Sequence, residues 1–463
     1  MNKLNLTCLL GVALALSACQ SSYQLNPELR QLSVPAKWSE QVQTLAVQDN
    51  WLQQFNQPVL NQLVAKALLQ NQSLLQQAYQ VEIEQQRVVV SGADLWPSLD
   101  VSVRNSRSKS GSPATYQTTS SASLELGYEF DVWGKLSAGQ RQANLNYLAQ
   151  KSTFEQARQQ LVADVVIAWF KALTAQQLSA LYQSRVHNAE QNLDIIEKGY
   201  QQGLNEALDV YLARNNLHSE RSRLIQQQAS EVDALRLLER LTGEYPTGQL
   251  AINADIPLLD SAIPKGLPSE LISRKPELLA SWYQLLAKDA ALAYAHKQRF
   301  PSINLSASLS ESGKTLSDVF SPGSLAWSLI GNISAPIFNR GKLQANEKIA
   351  ELSLKQGEQQ YLDTLYNAFN TVAAAITQET ALSERYQATL AARDNAVIAQ
   401  QLSFEQYQTG LVSYTTVLDA QGRSFDAQSS LLELKNQLIS NRINLYVALG
   451  GDFSVSNNST SEQ

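Results

Sequence analysis

The sequence predicts a mainly α-helical chain with membrane β-strands, a tandem repeat carrying four β-strands and long coiled-coil helices per protomer. Three observations carry this. A unit of about 200 residues is written twice, two stretches of about 65 residues contain no proline, and four short segments alternate apolar with polar side chains.

Composition narrows the class. The 463 residues are 44% apolar and only 17% charged, with 20 Gly and 13 Pro, so helix breakers are scarce. A net charge of −6 with Lys and Arg spread along the chain argues against a nucleic-acid partner. Three His and two Cys leave little material for a metal centre or a disulfide framework. No metal site is expected.

Both cysteines lie near the start. A short basic opening, Met1-Asn2-Lys3, precedes the mostly apolar Leu4 to Ala18, which reads as an export signal over 1–18. Its end, Leu16-Ser17-Ala18-Cys19, resembles the lipobox of bacterial lipoproteins. That resemblance implies cleavage before Cys19 and a covalent lipid on it, diacylglycerol and an N-linked acyl chain such as palmitate. Gln20 rather than an acid at the next position implies the outer membrane. Cys8 would leave with the signal.

Internal anchors define the repeat. Trp96-Pro97-Ser98-Leu99 returns as Phe300-Pro301-Ser302-Ile303, and Asn71 to Leu75 aligns with Lys275 to Leu279, both at an offset of 204. Beyond the first loops the offset is 207: Trp133-Gly134-Lys135-Leu136 matches Arg340-Gly341-Lys342-Leu343. Tyr200 to Leu204 matches Tyr407 to Leu411 at the same offset, as Leu241-Thr242-Gly243 matches Ala448-Leu449-Gly450. The organisation is then 19–70, a lipid tether and equatorial segment; 71–243, the first repeat; 244–274, an equatorial linker; 275–450, the second repeat; and 451–463, a polar tail.

Each repeat opens with a helix, 72–95 or 276–299, that Pro97 or Pro301 brings to an end. Strands follow at about 98–104 and 121–133, then 302–310 and 325–338. Long helices are expected over 135–198 and 342–407, with return helices over 206–242 and 413–449. Leu362, Leu365, Phe369, Val372 and Ile376 step by three and four, the seam of a coiled coil. Leu418, Phe425, Leu432, Ile439 and Tyr446 recur every seven, with Leu431, Leu438 and Leu445 beside them, so the last helix packs on two neighbours.

The alternating segments fit transmembrane strands, with Leu99, Val101 and Val103 set against Asp100, Ser102 and Arg104. Trp96, Trp133, Phe300 and Phe338 stand at one end, where an aromatic girdle belongs. Four strands cannot close a barrel in lipid, so spanning requires oligomerisation: eight strands for a dimer, twelve and room for a lumen for a trimer.

At this level of detail the chain resembles the TolC/OprM-type outer membrane factors, and within them the lipid-anchored (NodT-like) efflux lipoproteins of RND tripartite pumps. The residues that carry the resemblance are Ile263 to Leu271 with Arg274-Lys275-Pro276-Glu277, Tyr414 to Gln421, and Asn444 to Gly451. It implies a homotrimer with a twelve-stranded β-barrel on a periplasmic α-barrel, docked to a periplasmic adaptor that binds an inner-membrane RND-type transporter. It places the periplasmic mouth at the two helix–helix turns, where Gly203, Leu204, Gly410 and Leu411 would touch the adaptor. Asp209, Asp419, Thr416 and Tyr407 would form the aperture, with Asp419 on the inner helices as a ring of like charge. Some relatives carry a second acid at the place of Thr416 and a gate-linking Arg at the place of Val412.

Nothing in the sequence points to catalysis. Ser312-Gly313-Lys314-Thr315 resembles the end of a P-loop, but position 308 is Ser and the segment sits between strands. His187, His218 and His296 have no spaced ligand partners. The expected function is an outer-membrane exit duct for drugs and other small toxic compounds. Type I protein secretion, heavy-metal cation efflux and a lipid-anchored coiled-coil scaffold are the alternatives.

Overall fold

The computed structural model of the protein describes residues 50–257, 268–319, 321, 325–451 and 453. The signal segment, Cys19, residues Ile263 to Leu267 and most of the polar tail lie outside the described residues.

A 3-10 turn (Trp51–Phe55) leads into helices α1 (Pro58–Gln70) and α2 (Gln72–Ala93). Strands β1 (Ser98–Ser110) and β2 (Thr115–Phe130), the long helix α3 (Lys135–Gln201) and the return helix α4 (Ala207–Leu241) complete the first repeat. After α5 (Pro268–Arg274) the second repeat follows the same plan. It comprises α6 (Pro276–Lys297), β3 (Ser302–Gly313), a single turn α7 (Leu316–Val319), β4 (Ala326–Ser334), α8 (Lys342–Gln408) and α9 (Tyr414–Ala448).

Local chemistry sets the boundaries. The Asn71 side chain accepts the Leu74 N–H at 3.0 Å and donates to the Leu241 carbonyl at 2.9 Å, so one cap holds α2 to the end of α4. Pro58 and Pro276 occupy the first helical position, where the missing N–H costs nothing. Gly134 and Gly341 turn each hairpin into its long helix with φ of 71° and 78°. Both long helices have 67 residues, roughly 100 Å of rise. Leu365, Val372 and Ile376 are buried along the expected seam of α8, with Phe369 half-buried.

The four strands form one antiparallel sheet in the order β1-β2-β3-β4. Its register collects the apolar residues on one face. Leu99, Leu126, Ala307 and Leu329 make one row, and Val101, Leu124, Leu309 and Trp327 the next. The opposite face carries Asp100, Glu125, Ser308 and Ser328 in one row and Glu129, Asn304 and Asn332 in another. Hydroxyl pairs bridge it, Ser102 to Ser123 and Ser308 to Ser328, each at 2.8 Å. From Phe130 up to Ala122 the apolar band spans eight residue steps, roughly 20 Å of height at a tilt of about 40°. Ile337 and Phe338, 95% and 88% exposed, extend it downward. β1 runs to Ser110, past the expected end at 104, and pairs with β2 up to Thr115. Both faces are polar there, so alternation carries no signal although the ladder continues. β4 ends at Ser334, short of 338, because Pro336 has no N–H to donate.

The main core lies midway along α3. Val165, Val166, Trp169, Phe170 and Leu173 are fully buried there against α1, the 51–55 turn, the linker at Ile252 and Ile256, and the end of α9. Trp51 stacks on Tyr446 at 5.8 Å, and Phe55 meets Phe170 at 5.0 Å. Two glycines close the return helices in equivalent ways. Gly243 (φ 80°) would place a Cβ 2.6 Å from the Gln70 carbonyl oxygen, and Gly450 (φ 69°) would place one 3.0 Å from the Arg274 backbone.

Glu239 ties the linker to α4. Its carboxylate accepts the N–H groups of Gly248, Gln249 and Leu250 and the Thr247 hydroxyl, at 2.6 to 3.2 Å. Burial pushes its pKa up, but these donors outweigh burial and hold it below the usual carboxylate value. The folded pKa is depressed, so this stabilisation is present above the ordinary carboxylate pKa and is lost as pH falls through the folded value. Glu239→Ala, which removes the partner of the Gly248 and Leu250 amides while Gln249 keeps the Thr247 hydroxyl at 3.2 Å, is expected to cost about 2–4 kcal/mol at neutral pH. The loss is expected to shrink in thermal melts below about pH 4. A melting temperature equal to the parent's at pH 7 would contradict this.

Candidate functional site

The two helix–helix turns lie together at one end of the helices. In the first, the Gly203 N–H donates to the Tyr200 carbonyl at 2.9 Å and the Leu204 N–H to Gly199 at 2.8 Å. In the second, Gly410 donates to Tyr407 and Leu411 to Gln406, both at 2.9 Å. Each glycine is left-handed, with φ of 74° and 75°, as this type of C-cap requires. A Cβ at either would meet nothing within 4 Å, so the backbone angle alone demands glycine. Gly203→Ala is therefore expected to cost about 1–2 kcal/mol in left-handed backbone energy, read as faster amide exchange confined to residues near the turn. Unchanged exchange there would refute the backbone reading.

A Cβ at Gly199 would sit 2.4 Å from Asn205 Nδ2, which donates to the Ile196 carbonyl at 3.1 Å. The first turn is thereby fixed by a side chain as well as by the backbone. Leu204 and Leu411 stay 77% and 75% exposed at the two tips.

Beneath the tips the two repeats share a small core. Ile196, Val210 and Ala213 come from the first repeat, Tyr414 and Val417 from the second. Tyr407, at the end of α8, donates its hydroxyl to Asp209 Oδ2 at 3.0 Å, in the first turn of α4. Its ring lies 5.4 Å from that of Tyr414, which is buried. Burial first, then the bond to Asp209, pushes the Tyr407 phenol well above its ordinary value. Burial and the Asp209 charge push Tyr414 up to about 12. Both phenols are therefore protonated at neutral pH, and Tyr407 can only donate to the carboxylate.

The structure thus brings Asp209 and Tyr407 together, one from each repeat. Thr416 and Asp419 make their bonds within α9 and its N-cap, Ser413. The Thr416 N–H donates to the Ser413 carbonyl at 3.0 Å, and Asp419 Oδ2 accepts from Arg423 Nε at 2.9 Å, both side chains exposed. The bond that Arg423 donates to Asp419 raises the Arg423 pKa. Sequence reasoning singled out neither Arg423 nor Tyr414 for a role. The Asp-to-Arg spacing of four on a helix was a signal for the first; the tilted ring contact with Tyr407 left none for the second.

Higher up, Arg185 Nε meets Glu220 Oε2 at 2.8 Å between α3 and α4, both side chains almost fully buried. The guanidinium also faces the rings of Tyr182 at 4.8 Å and Phe425 at 4.6 Å, which links α9 to the first repeat. Among the described residues no group of three His, Cys, Asp or Glu could hold a metal ion.

Comparison with known proteins adds three findings. A family model described as outer membrane efflux protein matches residues 63–244 and 267–451. Among curated relatives, the cation efflux system protein CusC of Escherichia coli K12 is 30% identical over 95% of this chain and 98% of its own. The solvent efflux pump outer membrane protein SrpC of Pseudomonas putida is 32% identical over 87% of each. The probable outer membrane lipoprotein SilC of Salmonella typhimurium is 30% identical over 87% of each. Among solved structures, CusC superposes with a TM-score of 0.81 at 27% identity, covering 90% of this chain and 97% of that one. The Campylobacter jejuni CmeC outer membrane channel, at 22% identity, shares the fold with a TM-score of 0.83 over 95% of this chain and 94% of its own.

Proposed function

The chain belongs to the outer membrane efflux protein family, and from that membership we propose that it works as the passive exit duct of a tripartite pump. One observation supports the duct above all others. The four-stranded sheet turns a continuous apolar band to one side and a polar, hydroxyl-rich face to the other, with β1 and β4 both left as open edges. Lipid tolerates no open edge, so copies must join until the sheet closes. Three copies give a twelve-stranded barrel wide enough for a polar lumen, where two would give eight strands filled by side chains.

The remaining parts follow the same reading. A lipid on Cys19 anchors the chain to the outer membrane. Leu204 and Leu411, with their glycines, form the contact for a periplasmic adaptor, which couples the duct to an inner-membrane RND-type transporter. The exposed leucines are the kind of apolar knob that a partner helix pair can cover. Asp209, Tyr407, Thr416 and Asp419 shape the aperture. The duct performs no chemistry of its own; the transporter supplies the energy.

Small amphiphilic toxicants are the proposed cargo, and heavy-metal cations are the second reading, favoured by the likeness to the cation efflux system protein CusC. Only one Met, the initiator, occurs in the chain. A growth panel separates the cargoes: a strain lacking the gene, with and without a plasmid copy, is challenged with amphiphilic antibiotics, dyes, bile salts, and copper and silver salts. Restored tolerance to several amphiphiles is the expected result. Tolerance restored to the metals alone would move the cargo to cations, and no difference anywhere would favour protein secretion. Planar-bilayer recording tests the duct itself, since a coiled-coil scaffold without a lumen conducts nothing.

A further inference from the structure

The end of the first hairpin farthest from the helices carries positive charge without compensation. Residues 101–124 contain Arg104, Arg107 and Lys109 and no Asp or Glu, in a chain whose net charge is −6. α2 runs into β1 at Ser98 and α3 leaves shortly after Phe130, so the turn between Ser110 and Thr115 lies at the opposite end of the sheet. With the helices in the periplasm, that end faces the cell exterior.

The register sorts the three cations onto two faces. Arg104 shares the polar face with Asp100 and Ser102. Arg107 and Lys109 share the other face with Leu99, Val101 and Val103, the one that meets lipid. Above Val103 this face turns polar: Asn105 stands opposite Ser120, Arg107 opposite Thr118 and Lys109 opposite Tyr116. Arg107 and Lys109 lie about 10 and 15 Å higher than Val103 on the same strand, at a tilt of about 40°. Hydrocarbon gives way to headgroups at that level. The repeat does not impose these residues, since their counterparts at the offset of 204 are Glu311 and Gly313. Each copy carries the arrangement once.

The two cations converge on one ring. The Arg107 guanidinium carbon lies 5.2 Å and the Lys109 ammonium 5.7 Å from the centroid of Tyr116, which is 62% exposed. Like charges gathered at one ring repel each other, and the ring offsets only part of that cost. Neither cation makes an ion pair with a carboxylate among the described residues. On this face Glu311 stands opposite Ala122 in the row of Val103, two strands away and two rows below Arg107. Asp318, in the second hairpin, accepts the Thr315 N–H at 2.9 Å. The counter-charge therefore comes from outside the chain. A guanidinium fork and an ammonium side by side match the oxygens of a phosphate. Two exposed cations hold a free phosphate weakly, whereas a phosphate carried on a lipid gains the apolar surface of Leu99, Val101, Val103 and Leu124 below it.

We propose that Arg107, Lys109 and Tyr116 form a seat for a phosphorylated glycolipid of the outer leaflet. Its phosphate bridges the two cations beside the ring, and its acyl chains lie along the apolar rows of β1 and β2. Asn105 and Thr118 present polar groups to the sugar on the same face. The seat rests on the membrane-spanning sheet proposed above and adds a ligand to its outer surface.

The test counts lipid bound to the full-length protein, extracted in mild detergent, by native mass spectrometry. The probes are bisphosphorylated lipid A, the same glycolipid stripped of its phosphates, and phosphatidylglycerol, with inorganic phosphate as competitor. The parent is expected to bind bisphosphorylated lipid A about tenfold or more tightly than the stripped form. This comparison needs no variant, so it stands even where a substitution prevents assembly. Arg107→Gln with Lys109→Gln is expected to erase the preference for the phosphorylated form. Arg104→Gln, which removes a charge from the polar face, is expected to preserve it. Planar-bilayer conductance equal to the parent's shows that each variant still forms the duct. An unchanged preference in the double variant, or equal binding of the stripped form by the parent, overturns the seat and leaves the duct standing. So does phosphatidylglycerol bound as tightly as lipid A, or lipid A displaced by inorganic phosphate. A parent that neither conducts nor oligomerises overturns the spanning sheet, and the seat with it.

Discussion

Arginine in place of Leu126 is expected to block assembly in the outer membrane, while Glu125→Lys, one residue away, leaves assembly intact and changes ion selectivity. The two side chains leave opposite faces of β2, an internal strand, so neither touches an open edge. Leu126 sits in the apolar row with Leu99, Ala307 and Leu329. A lipid-facing arginine near mid-membrane costs about 2–4 kcal/mol in a β-barrel. Three copies per duct would pay that cost three times over, which is several powers of ten in the assembly equilibrium. Glu125 lies on the polar face, in the row with Asp100, Ser308 and Ser328, where Ser123 donates to it at 2.9 Å. A lysine there replaces a ring of negative charge by a positive one in contact with water, so cation preference is expected to fall in planar bilayers. Outer-membrane fractionation reads the first effect and reversal potentials in a salt gradient read the second. Equal assembly of the two variants would end the membrane-spanning assignment of the sheet.

The same pair of residues shows what the sequence made legible. Alternation revealed strands wherever one face is apolar, because lipid on one side and water on the other impose a period of two. It was silent from Asn105 to Ser110, where both faces are polar and only backbone pairing maintains β1. The long helices were legible because proline is absent and the apolar positions recur with coiled-coil spacing. Their capping glycines, Gly203 and Gly410, were legible because a left-handed turn admits few other residues. The site was legible only in part. Asp209 and Tyr407 were each placed near the mouth, but a hydrogen bond between residues 198 positions apart leaves no local pattern. Asp419 was placed without its partner, although Arg423 stands one turn away on the same helix. The buried Arg185–Glu220 pair had no periodic signal at all, since both residues fall among the ordinary polar positions of long helices.

Tyr407→Phe is expected to loosen the periplasmic mouth. The bond it removes is a polar contact between the end of α8 and the start of α4, close to the two tips. Phenylalanine keeps the ring, and with it the packing on Tyr414 at 5.4 Å and the shared core of Ile196, Val210 and Val417. The change therefore isolates the hydrogen bond from the apolar contacts. A hydrogen bond to a charged group contributes about 1.5–3 kcal/mol. If splaying of the two helix pairs opens the mouth, this shifts the closed-to-open ratio by about 10- to 150-fold per copy. The Tyr407 proton stays on the oxygen at neutral pH, so nothing in the physiological range releases the bond from the phenol side. Asp209→Asn retains an acceptor without the charge and is expected to fall between the parent and Tyr407→Phe. Asp419→Ala is a separate case, because its partner Arg423 lies on the same helix and no helix pair is freed by losing it. Any widening it causes comes from removing a ring of like charge, and is expected to fade as salt screens that charge. Single-channel recording at low and high salt distinguishes the two mechanisms. A Tyr407→Phe channel with the open probability and conductance of the parent would show that the Asp209 bond holds no gate.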